Sequence, residues 1–133
     1  MASLLLITAL ACGPAEEGER PGVEADYGER FDLSLGERAV VEGVLRVAFA
    51  RVSEDSRCPE GVECVQAGNA AAVLAVESDV GSATLTLHTG RVPRQAATMG
   101  YMVRLVELRP QPAGGAPVDS AAYRASLVVE RAP

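Results

Sequence analysis

The residue types able to do chemistry gather in one stretch, residues 55–70, which reads Asp-Ser-Arg-Cys-Pro-Glu-Gly-Val-Glu-Cys-Val-Gln-Ala-Gly-Asn-Ala. It holds Cys58 and Cys64, with Pro59 and Gly61 between them. Proline presets a turn φ and glycine supplies a position with φ > 0, so the segment can fold back on itself. That return brings two Cβ atoms toward disulfide distance, which an extended strand does not allow. In an oxidising compartment the pair reads as a disulfide stabilising by roughly 2 kcal/mol. The rival reading is a pair of metal thiolates. A structural zinc site needs four ligands, yet His88 is the only histidine and no second cysteine pair exists. No metal and no cofactor is expected.

The remaining candidates carry plain readings beside the chemical ones. His88 falls on the outer face of a predicted strand beside Thr84 and Thr86, where a solvated histidine is the default. Without it no Ser-His-Asp arrangement can be drawn, and no Gly-x-Ser-x-Gly elbow or Gly-rich phosphate loop is present. Glu54, Asp55, Glu60 and Glu63 crowd the cysteines, but their spacing matches no EF-hand, and a sugar cleft recruits aromatics that this chain lacks. They read as a solvated acidic rim. Asp55 has a structural task available, accepting N–H groups of the following turn or pairing with Arg57, and Asn69 is placed to brace the loop exit. No catalytic residue is assigned. The surface carrying Asp55, Arg57, Gln66 and Asn69 is the candidate binding face, since loops on a rigid β scaffold commonly carry recognition.

Asp-Ser-Arg-Cys-Pro, then Val-x-Cys-Val, then Ala-Gly-Asn-Ala resembles a motif of small bacterial envelope proteins, many of them predicted lipoproteins without an assigned function. The likeness runs from about Phe31 to Val129 and includes Leu105-Val106-Glu107-Leu108-Arg109-Pro110-Gln111-Pro112. It implies a fold and a location rather than an activity. Members often carry Trp at the position of Gln66 and an aromatic at that of Gln111. If those rings cover a core or a ligand, this chain has lost that cover.

The elements that position this stretch follow from composition and pattern. The chain has 133 residues and a net charge of −6, the length of one domain. Its acidity argues against nucleic acid or an anionic membrane surface as the main partner. Residues 4–11 form a short apolar run, too short to span a bilayer, and read as the core of a signal peptide over 1–11. Small residues before Cys12 resemble a bacterial lipobox, so Cys12 is the expected lipid-bearing first mature residue and the membrane attachment. Ala9 stands where such sites usually have Leu, and no Lys or Arg precedes the run. Simple secretion with a free thiol is the alternative, and an odd cysteine favours lipidation. Residues 12–30, rich in Glu, Gly and Pro, read as a flexible acidic linker, with Tyr27 able to dock on the domain.

Residues 31–133 read as a single β-domain. Residues 31–35 alternate, then Gly36-Glu37 turns the chain. Residues 39–52 are long and β-rich, with Leu45, Val47 and Phe49 on one face and Gly43 marking a bulge or a break. Residues 70–77 form a strand, with a helix as the competitor because alanine favours it. A turn at 79–82 and a strand over 84–88 complete a hairpin. Residues 89–100 read as a loop, 101–108 as a strand with a bulge between Leu105 and Val106, and 110–120 as a surface loop. In the last strand Tyr123, Ala125, Leu127 and Val129 face inward, and Arg124, Ser126 and Glu130 face water. The expected fold is a small antiparallel β-sandwich or barrel of six to eight strands. The expected function is a non-enzymatic envelope module contacting an envelope protein. The alternatives are a periplasmic hydrolase inhibitor that presents the cysteine loop and, behind it, an enzyme.

Overall fold

A computed structural model describes residues 22–114 and 117–133. The expected signal peptide, Cys12 and the linker as far as Pro21 lie outside the described residues. The described residues form nine strands: β1 (Val23–Ala25), β2 (Phe31–Ser34), β3 (Arg38–Val41), β4 (Leu45–Asp55), β5 (Ala70–Ser78), β6 (Gly81–His88), β7 (Gln95–Thr98), β8 (Tyr101–Arg109) and β9 (Arg124–Arg131). One 3₁₀ turn, Ser120–Ala122, precedes β9, and Asp119 caps it by accepting the Ala121 N–H.

The strands make two sheets, ordered β1-β3-β4-β5-β6 and β2-β9-β8-β7. Every pairing is antiparallel except the short parallel pair β1–β3. The expectation of an antiparallel sandwich holds, and the sheets are not closed into a barrel. The inner faces alternate as the sequence prescribes. Leu45, Val47 and Phe49 of β4 and Leu74 and Val76 of β5 meet Leu33, Leu105 and Leu127 of the second sheet, all of them buried. Residues 70–78, where alanine left a helix open, form a central strand with both faces covered near its start. Cross-strand packing overrides intrinsic propensity there.

The strand count exceeds the expected six to eight because two short strands escape the sequence pattern. Val23–Ala25 belongs to the fold rather than to the linker, pairing with β3, and Tyr27 behind it stacks on Tyr101 with ring centroids 6.0 Å apart. Gln95–Thr98, inside the expected loop 89–100, pairs with β8. Neither has enough alternating apolar residues to be read alone. The Gly43 position is the break rather than a bulge: residues 42–44 turn β3 into β4. The Leu105/Val106 slip is a bulge, seen as a register shift between Leu105 and Glu107. Ser126 corrects an expectation. It sits on the outer face but is fully buried, because Arg30 donates to its hydroxyl and the hydroxyl donates to Asp32, so the pair lies over it.

Candidate functional site

The site is built at one end of the sandwich, where β4 runs into the cysteine loop. β4 pairs with β5 through two register shifts, between Phe49 and Arg51 and between Val52 and Glu54. One bulge would reverse the inside–outside alternation and the second restores it. Asp55, opposite the buried Ala70, therefore points to the same side as Phe49, toward the second sheet. Glu54 points to the outer face, opposite Ala71.

Asp55 there meets Arg57 and Tyr123. Arg57 Nε and Nη2 donate to the two carboxylate oxygens at 2.8 and 2.7 Å, a bidentate pair, and the Tyr123 hydroxyl donates to Oδ2 at 2.7 Å. Arg57 also donates to the carbonyls of Leu108 at 2.6 Å and Pro110 at 2.9 Å, at the end of β8. Its side chain is only 6 % exposed. The group is thus a polar clasp between the sheets: Asp55 and Arg57 come from the first, Leu108, Pro110 and Tyr123 from the second. Burial opposes ionisation of Asp55, but the hydrogen bonds from Arg57 and Tyr123 outweigh it and hold its pKa below the ordinary carboxylate value. The Asp55 hydrogen bond raises the Arg57 pKa. Burial, reinforced by the bond to Asp55, pushes the Tyr123 phenol up to about 12.

A second polar group lies on the outer face. The Asn69 amide nitrogen donates to Glu54 Oε1 and to His88 Nδ1, the latter at 2.9 Å. Arg91 reaches the same two acceptors, with Nη2 3.2 Å from Glu54 Oε1 and Nε 3.4 Å from His88 Nδ1. The Asn69 side-chain oxygen accepts the Gly90 N–H at 2.9 Å. Asn69 and Arg91 both aim donors at Nδ1, so that nitrogen serves as their acceptor. His88 corrects the expectation of a solvated surface residue. It does lie on the outer face, but Asn69 and Arg91 close over it and the residue is buried. Alternation identifies the face of a strand, not what the loops lay across it.

The loop itself is closed and anchored. Cys58 and Cys64 are joined as a disulfide with Cα atoms 5.9 Å apart. Its limbs run together: Ser56 N–H donates to Asn69 O at 2.7 Å and Cys58 N–H to Ala67 O at 3.0 Å. Glu60 N–H donates to Pro112 O at 2.9 Å, tying the tip to the connection after β8. Gly68 has φ +72°, and a Cβ built on it would stand 1.8 Å from the Ser56 carbonyl oxygen. A Cβ on Gly90 would stand 2.3 Å from the Gly68 carbonyl oxygen. Three backbones stack at this ridge, and only glycine fits at either position.

The ridge separates two shallow clefts that share Ala67, Gly68 and Gly90. One, of 280 Å³, includes Arg57, Arg94, Val106 and Gln111, and the other includes Glu54, Ser56, Gln66 and Arg91. Of the expected binding residues, Asp55 and Arg57 are consumed in the clasp, and Asn69 in the outer network. Gln66 is exposed on the loop. Beyond it stand Val62, 48 % exposed, and Val65, fully exposed. Among the described residues no group of three or more His, Cys, Asp or Glu is placed to hold a metal ion.

Sequence reasoning missed Tyr123 and Arg91. Tyr123 left a signal, since a phenol in an otherwise aliphatic inward row needs a hydrogen-bond partner. Arg91 left none. No family model, no curated protein and no solved structure matches this chain.

Proposed function

We propose that the chain is a non-enzymatic binding or structural module of the bacterial cell envelope, held to a membrane by lipid on Cys12, and that residues 55–70 are its contact face toward another envelope protein. One observation carries the reading: Val62 and Val65 stand in solvent on a disulfide-closed loop whose base is fixed by buried hydrogen bonds. Apolar side chains on a rigid support lose little conformational freedom on docking, so more of their burial appears as affinity. Asp55, Ser56, Arg57 and Asn69 of the stretch, meanwhile, are held by hydrogen bonds within the fold. The disulfide is compatible with an oxidising compartment, and the likeness of the cysteine stretch to envelope lipoproteins supports the location.

The test is native mass spectrometry on protein extracted from its own envelope in mild detergent. It is expected to show acyl chains on Cys12, two hydrogens missing for the disulfide, and a bound protein. A double substitution, Val62→Asp with Val65→Asp, is expected to release that protein while leaving the melting temperature unchanged. Retention of the partner at wild-type stoichiometry would refute the contact face.

The same exposed, disulfide-closed loop supports a second reading, a hydrolase inhibitor that offers Val65 to an active site. Inhibition by the purified domain that disappears on reduction separates this from the first.

A further inference from the structure

The two lateral sides of the sandwich differ in charge. On one side β1, β2 and the residues between them carry Glu24, Asp26, Glu29 and Asp32 against Arg30. On the other side β6 and β7 carry no Asp, Glu or Arg, and the residues between them add only the cations Arg91 and Arg94. The edges also differ in length. β6 has eight residues, against three in β1 and four each in β2 and β7. Charged or very short edge strands are the usual devices against unwanted pairing, and β6 has neither.

The register of β6 shows which groups it presents. Gly81 pairs with Ser78 across the turn at Asp79-Val80, and Leu85 pairs with Leu74. In that hairpin Gly81, Ala83, Leu85 and Leu87 exchange main-chain bonds with β5. The N–H and C=O groups of Ser82, Thr84 and Thr86 therefore point away from it. The same parity carries the His88 N–H outward, where it donates to Pro93 O at 2.9 Å. Among the described residues no main-chain partner meets Ser82, Thr84 or Thr86 on that edge. Their side chains are exposed, and two exposed valines, Val80 and Val92, flank the strand.

We infer that β6 is the pairing edge for a second copy of this chain, antiparallel about a two-fold axis through Thr84. Such an interface is isologous, so the strand must complement its own reverse. It does. Thr84 falls opposite Thr84 and Ser82 opposite Thr86, and these are the residues whose main-chain groups face outward. Their hydroxyls line one face as cross-strand pairs, with Ala83 opposite Leu85 on the other. Val80 of one copy reaches the His88 end of its partner. The β6 strand itself carries no Asp, Glu, Lys or Arg, so two copies paired along it set no like charges opposite, whereas the β1–β2 side opposes acid to acid. The match of the strand to its own reverse favours a second copy over a foreign strand.

The test is sedimentation equilibrium of the full chain in mild detergent across the micromolar range. A reversible dimer is expected. Thr84→Lys sets like charges directly opposite at the axis and is expected to weaken the dimer at least about ten-fold, a change of about 1.4 kcal/mol, with an unchanged melting temperature. Thr84→Cys is expected to give dimers joined through the introduced thiols under mild oxidation, and Thr86→Cys is not, because only the axial position faces itself. The cross-link pattern holds as a readout even if the lysine variant folds poorly. A chain that stays monomeric throughout, a dimer that Thr84→Lys leaves at full strength, or a monomer whose β6 edge takes a strand from another protein overturns the inference.

Discussion

Asp55, Arg57 and Tyr123 show what a few buried polar atoms do in a small domain. The carboxylate accepts from a bidentate guanidinium and a phenol, and the guanidinium also satisfies two carbonyls of the opposite sheet. Removing one member strands the others. Arg57→Leu is expected to destabilise by about 3–5 kcal/mol, because it leaves a buried carboxylate and two carbonyls without their donor. Tyr123→Phe removes one neutral donor and is expected to cost about 1–2 kcal/mol, both read by urea unfolding near neutral pH. The Tyr123 phenol also sets a pH signature. Its folded-state pKa of about 12 lies above the ordinary 10.0, so its stabilisation is complete below pH 10 and is lost as pH rises toward 12. Wild type is expected to lose stability across that window and Tyr123→Phe to lack that component. An identical alkaline profile in both would contradict the bond to Asp55. Asp55 acts in the opposite direction, its contribution present above pH 3.8 and lost below it.

At the scale of elements, the double bulge in β4 and the glycine ridge place the site. Two shifts of one residue return Asp55 to the inner side while leaving Glu54 outside, so one strand end feeds both polar groups. The ridge then fixes how near the loop limbs come. Gly68→Ala would drive a methyl group to 1.8 Å from the Ser56 carbonyl at a φ of +72°. It is expected to cost more than about 3 kcal/mol, combining overpacking with a strained backbone, measured by thermal unfolding. An alanine variant as stable as wild type would mean that the limbs separate easily. Much at this scale was legible beforehand. The strands at 31–34 and 124–131 and the part of β6 from residue 84 to 88 follow from apolar alternation, and the β8 bulge from a slipped pattern, whereas β6 starts at Gly81 inside the expected turn 79–82 and residues 70–77 stayed open to a helix. Val23–Ala25 and Gln95–Thr98 were not legible, since three or four residues hold too little periodicity. What makes them strands is the neighbour they pair with.

At the scale of the molecule, the sandwich begins before the residue that pattern alone would choose. Val23–Ala25 pairs with β3, Glu42 N–H donates to Ala25 O, and Arg131 stands 5.5 Å over the Tyr27 ring. A chain beginning at Phe31 is expected to melt several degrees below one beginning at Gly22 (about 4–8 °C for each kcal/mol lost in a domain of this size). Equal melting temperatures would return residues 22–30 to the linker. The two lateral sides opened by this arrangement, one acidic and one ending in the uncharged edge strand β6, are where any assembly of the chain has to be decided.

The sequence by itself determined the inner faces of the sandwich, the all-β class and the loop that brings Cys58 near Cys64. Those features are local, written in a period of two and in the turn chemistry of Pro59 and Gly61. Only the tertiary structure decided what covers the outer faces and which polar groups meet. His88 and Ser126 sit where alternation puts them, yet Arg91 and Asn69 bury the first and Arg30 and Asp32 the second. Asp55 and Tyr123 are 68 residues apart in the chain and 2.7 Å apart in space. The physical reason is range: alternation records how a residue sits on its own strand, whereas burial and hydrogen bonding depend on segments brought over it by the packing of two sheets.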